Sequence, residues 1–127
     1  MLPRNMGIAI EAPRGGLAEK IGEASYPLVL RNAEIERFED KHRGIFELWD
    51  GFFGRSTAPT STEVRDLIAL GLVGAGMKDA VADKLVLGLG PDQLLGLFAI
   101  GRALIGIAFM PDAGDVKKKQ PKKPRKN

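Results

Sequence analysis

The stretch that decides the fold begins Tyr26-Pro-Leu-Val-Leu30 and continues Arg31-Asn-Ala-Glu-Ile-Glu-Arg-Phe-Glu-Asp-Lys-His-Arg43. It closes on Gly44-Ile-Phe-Glu-Leu-Trp-Asp-Gly-Phe-Phe53. An extended apolar pentapeptide feeds a charge-laced helix, which stops at a glycine and restarts as an aromatic-rich one. The stretch holds the only Trp, the only Tyr, the only His and four of the six Phe. Asn32 reads as the N-cap of a helix over Ala33 to Arg43, because its side-chain oxygen can accept an orphan N–H of the first turn. Ile35 and Phe38 share one face of that helix. Glu39 and Arg43 at i,i+4, with Glu34 and Arg37 at i,i+3, predict ion pairs along a solvated face. Gly44 reads as the residue that ends it. The second helix, Ile45 to Phe53, carries Ile45, Phe46, Leu48, Trp49, Phe52 and Phe53. That is too many apolar residues for one stripe, so some belong to the core and some are exposed. The Trp49/Phe52/Phe53 end reads as core filler or as a partner surface, since exposed aromatic side chains dominate interface energetics.

Upstream, Leu17 to Ile21 and Tyr26 to Leu30 read as a β-hairpin joined by Gly22-Glu23-Ala24-Ser25, with Gly22 free to take a positive φ. Tyr26, Leu28 and Leu30 fall on one face by the strand period of two. Pro27 cannot donate to a ladder, so this strand pairs on one side or starts at an edge. A lone hairpin is marginal in water and must pack on the helices or on another chain. Residues 1–14 read as a mobile terminus, residues 15–110 as one domain, and residues 111–127 as a disordered basic tail.

Downstream, Thr60-Ser-Thr-Glu63 predicts a capping box, with Thr60 as N-cap and Glu63 at the third helical position. Val64, Leu67, Ile68 and Leu72 give that helix an apolar face to about Val73. The run Gly71-Leu-Val-Gly-Ala-Gly-Met-Lys-Asp79 fails as a phosphate loop. Met77 separates the last Gly from Lys78, and no Ser or Thr follows the lysine. It reads as a helix stop and a tight turn. Asp79 to Leu87 is a short helix with Val81, Leu85 and Ala82 facing in. Pro91 to Phe109 is the most apolar helix, and from Leu94 to Met110 its only charge is Arg102. That length is borderline for a bilayer, and Arg102 at mid-span argues for a core or partner-facing helix instead. An all-round apolar helix needs cover on several sides, which in so small a domain favours self-association or a bound partner.

The chain has 127 residues, enough for one modest core, and a formal charge of +3. Seven Lys and Arg fall within 117–126: Lys117, Lys118, Lys119, Lys122, Lys123, Arg125 and Lys126. Removing those seven from 19 leaves twelve basic against sixteen acidic residues, a body of about −4. A basic nucleic-acid-binding surface on the body is therefore not supported. The start, Met1-Leu-Pro-Arg-Asn-Met-Gly, lacks the apolar run of a signal peptide. Zero Cys excludes disulfides and thiolate metal sites. One His without a metal-ligand cluster or triad spacing, and carboxylates interleaved with cations, predict no catalytic site, cofactor or metal.

In sequence order, Gly22-Glu-Ala-Ser-Tyr-Pro-Leu-Val-Leu-Arg-Asn32 comes first, then an acidic helix closing in Arg43-Gly-Ile-Phe46. The Pro59-Thr60 cap follows, then Ala69-Leu-Gly-Leu-Val-Gly-Ala-Gly-Met-Lys-Asp79. Together, over roughly residues 14–110, these resemble the small tail assembly chaperones of long-tailed phages, in the branch shared with gene transfer agents. Val29 stands where that family often has Arg, Arg31 where it often has Thr, and the basic tail is an addition. The resemblance implies a protein that coats the tape measure protein and helps recruit tail tube subunits. It implies a host-cell cytoplasmic location and absence from the finished particle. It also implies that a second, longer form can arise by a ribosomal shift, here at Lys117-Lys-Lys119. The residues expected to meet a partner are Tyr26, Leu28, Trp49, Phe52, Phe53, Phe98, Leu104 and Ile105, with no small-molecule substrate. The alternatives are a structural tube or connector component and a small DNA-binding or regulatory protein acting through its basic tail.

Overall fold

Gly22 makes the hairpin turn, with φ at +67°. A computed structural model describes residues 10–113. The expected basic-tail residues and residues 1–9 lie outside that range. Strands β1 (Gly16–Ile21) and β2 (Ala24–Val29) pair antiparallel, with Ile21 opposite Ala24 and Gly16 opposite Val29. The turn is therefore the two residues Gly22 and Glu23. It is shorter than expected because Ala24 and Ser25 enter the ladder opposite Ile21 and Lys20. Pro27 sits opposite Ala18 in this two-stranded sheet, where each strand pairs on one side only.

Five α-helices follow among the described residues: α1 (Asn32–Lys41), α2 (Ile45–Phe52), α3 (Ser61–Gly74), α4 (Asp79–Leu87) and α5 (Leu94–Phe109). The expected class, a short hairpin followed by helices, is what the molecule shows. A single 3₁₀ turn, Pro91–Gln93, leads into α5, as proline at a helix start allows. At α1 the cap shifts by one residue. Arg31 occupies the N-cap, its N–H donates to Glu34 Oε1 at 3.0 Å, and its guanidinium donates to the Gly74 carbonyl at 2.7 Å. Gly44 is the N-cap of α2 rather than the stop of α1, with an ordinary φ of −63°.

The charges of α1 bond outward instead of along their own helix. Arg37 pairs with Asp79 at 3.0 Å, and Glu39 accepts the Ile45 N–H at the start of α2 at 2.8 Å. The expected pairs on α1 lose to these longer-range partners because helix starts offer unmatched N–H groups and neighbouring helices offer opposite charge.

Helix α3 is the centre. It packs on β2, α1, α4 and α5, and Val64, Leu67, Ile68, Ala69, Leu70 and Leu72 are all buried. Two of its glycines permit this. A Cβ on Gly71 would lie 2.6 Å from Leu104 Cδ2, and one on Gly74 would strike the Val29 carbonyl oxygen. The glycine run does end the helix, with Gly76 at φ +114°, but its first members are there so that the helix can lie against the strand and α5. In α4, Ala82 and Val86 are buried and Leu85 is half-buried, while Val81 is exposed, contrary to the expected inward face.

Candidate interaction surface

Helix α2 carries two apolar stripes with the same spacing. Ile45, Leu48 and Phe52 recur at i, i+3 and i+7 and are buried. Phe46, Trp49 and Phe53 recur at the same interval, one residue on, and form a ridge at the surface. Both stripes exist because eight or nine residues with six apolar side chains cannot turn all of them toward one core.

The ridge lies along α5. Phe46 meets Phe109 with ring centroids 5.6 Å apart, and Trp49 meets Phe109 at 5.4 Å and Phe53 at 4.7 Å. A Cβ on Gly106 would lie 3.4 Å from the Trp49 ring. The Arg102 guanidinium lies 5.7 Å from the Phe53 ring centroid, and that of Arg55 lies 5.0 Å from it. The helices are thus antiparallel, with Phe46 beside the end of α5 and Phe53 beside its middle.

Helix α5 is anchored by Leu97, Gly101, Leu104 and Ile105. Its opposite face is open. Leu95 is 85% exposed and Met110 52%, beside Phe46 at 71% and Phe53 at 43%. Gly96, Ala99, Arg102 and Ala103 are exposed between them. Covering one such Leu or Phe contributes about 1.5–3 kcal/mol, so an uncovered row of them is a strong drive to bind. Pro91–Phe109 is also long and apolar enough, by length and composition, to cross a membrane.

The eight residues expected to meet a partner divide between core and surface. Leu28, Phe52, Leu104 and Ile105 are buried in the core. Leu28 lies against α3, Leu104 against Gly71, and Phe52 against Gly101 and Phe98. Tyr26 and Phe98 are half-buried and packed against the core. Trp49 and Phe53 are on the ridge. Phe46, Leu95, Phe109 and Met110 were missed, although a helical wheel signals them. Arg102 marks the outer face of α5, and Leu95 and Ala99 lie seven and three residues before it.

A polar cluster flanks the far side of α3. His42 Nε2 lies 2.8 Å from Asp66 Oδ2, and Lys41 lies 3.8 Å from the same oxygen. That Asp66 meets His42 is not legible in the sequence, because the pair joins the C-cap of α1 to α3. Thr62 and Asp83 line the adjoining cleft of about 310 Å³. Among the described residues no hydrogen bond joins His42 to a hydroxyl, and no group of three His, Asp or Glu could hold a metal ion. Nearby, Arg43 grips Glu63 through Nε at 2.9 Å and Nη2 at 3.1 Å. Burial pushes the Glu63 carboxyl up. The Arg43 hydrogen bond, the Thr60 N–H and the charges of Arg43 and His42 outweigh that and hold it below the usual range.

Compared with known proteins, the chain matches no family model, no curated protein and no solved structure.

Proposed function

We propose that the protein is a non-catalytic assembly chaperone, of the kind its sequence resembles in long-tailed phages and gene transfer agents. It shields the apolar helices of a tape measure protein and helps bring tail tube subunits to them. The observation that carries this reading is the open, apolar face of α5 beside the aromatic ridge of α2, on a body that already has a filled core. A long helical partner that aggregates alone presents matching surface, and helix-on-helix docking covers both.

Co-expression with the product of a long helical reading frame next to its gene tests the proposal. The expected result is a partner kept soluble and recovered in complex. A partner that stays insoluble, with nothing co-purifying, would falsify it. The rival reading, a structural tube or connector component, places the protein in purified particles, where mass spectrometry would find it. The chaperone reading requires its absence there.

A further inference from the structure

The geometry points to a helix-binding groove whose floor is the outer face of α5 and whose wall is the Phe46/Trp49/Phe53 ridge. Its occupant is an amphipathic helix with an apolar stripe bordered by carboxylates. The inference rests on the chaperone reading and deepens it by naming the surface and the chemistry it selects.

Shape is the first support. Along α5 the outer face carries small residues at Gly96, Ala99 and Ala103, a three–four spacing that follows one helical stripe. Nothing lies within 4 Å of where a Cβ on Gly96 would sit. A second helix can therefore approach the α5 backbone closely. Leu95 and Met110 stand at the two ends of this floor, and the aromatic ridge bounds one side.

Charge decides the occupant. Arg102 makes no ion pair among the described residues, and its guanidinium stands at the Phe53 edge of the groove. Arg55, beside it, is already bound to Asp50 at 3.1 Å. At the opposite end Glu47 is paired with Arg43 at 3.4 Å and Asp112 with Arg14 at 2.6 Å. Because Arg102 lies near the middle of α5, a second copy packed antiparallel on this face sets its own Arg102, not a carboxylate, against it. A foreign helix with Asp or Glu at the border of its stripe supplies that carboxylate, and an exposed cation at a rim selects for such charge.

The test uses the purified full chain and two fluorescein-labelled 21-residue helical peptides without Trp or Tyr. Both carry a Leu/Ala stripe, bordered in one by Glu and in the other by Lys. Anisotropy reads binding, and Trp49 emission reports the site directly because it is the chain's only Trp. The Glu-bordered peptide is expected to bind and shift Trp49 emission, with the Lys-bordered one about fivefold weaker or worse. Arg102→Glu is expected to invert that order. Leu95→Asp is expected to weaken both peptides by about tenfold or more. Each side chain is exposed, so circular dichroism should be unchanged.

Equal binding, no binding, or an order that survives Arg102→Glu overturns the proposal. A dimer seen by sedimentation, abolished by Leu95→Asp and undisturbed by either peptide, overturns it in favour of a second copy. Anionic phosphatidylserine vesicles that shift Trp49 emission where the peptides do not overturn it in favour of a lipid surface. The peptides contain no tape measure sequence, so the two readings fail separately. Peptide discrimination without partner rescue retires the assembly role and keeps the groove. Rescue without discrimination keeps the role and moves it to another surface.

Discussion

Glu63 joins a helix start to an ion pair. Its carboxylate accepts the Thr60 N–H at 2.9 Å, while its own N–H donates to Thr60 Oγ1 at 3.0 Å. The same carboxylate receives both Arg43 bonds while nearly fully buried. Because its folded pKa lies below the unfolded value of about 4.3, folding favours the ionised form. That contribution is fully present above the unfolded value and is lost as pH falls through the folded one. Glu63→Gln should therefore cost about 2–3 kcal/mol at pH 7, since it leaves the half-buried Arg43 with only its longer 3.4 Å contact to Glu47. The gap should narrow toward pH 3. Urea midpoints of both proteins between pH 3 and 8 check this, and parallel curves would count against it. Thr60→Ala removes one cap bond and should cost about 1 kcal/mol, measured in the same way. The capping box was legible in the sequence because all its members lie within four residues. The Arg43 partner was not, because it comes from the α1–α2 connection, twenty residues earlier.

Two glycines make opposite demands on their helices. At Gly74 an added Cβ meets the Val29 carbonyl, a backbone atom that cannot rotate away. Gly74→Ala should destabilise by about 2 kcal/mol or more, overriding the gain of up to about 1 kcal/mol in helix propensity. At Gly96 the space is open, so Gly96→Ala should stabilise by about 0.5–1 kcal/mol. Thermal or urea unfolding of the pair decides, and equal signs would refute the packing account. The sequence shows both glycines and distinguishes neither, because the strand that crowds Gly74 lies more than forty residues away. Helix limits fared better. Asp79 to Leu87 and the start of α2 at Ile45 match the expectation, since apolar spacing and Gly or Pro punctuation are local signals. The caps of α1 did not match, because Arg31 is drawn to the Gly74 carbonyl at the end of α3.

For the molecule as a whole, the question is which apolar residues hold the fold and which are left over. The sequence showed the surplus but not its direction. Both faces of α5 are apolar, so Leu104 and Leu95 look alike until α3 and β1 claim one side. Arg102 was the legible clue, and it places Leu95 outside. The two classes should separate experimentally. Leu104→Ala empties a fully buried site and should cost about 2–5 kcal/mol. The double variant Phe46→Ser with Leu95→Asp removes the two most exposed groove side chains. It should leave the unfolding midpoint within about 1 kcal/mol of the parent. Alanine at Trp49 and Phe53 together tests the ridge between these extremes, since Trp49 is half-buried. In co-expression, the Phe46/Leu95 variant should remain folded and lose the ability to keep the partner soluble. If it unfolds, those side chains belong to the core after all. If it folds and still rescues the partner, the α2–α5 surface is not where the partner docks.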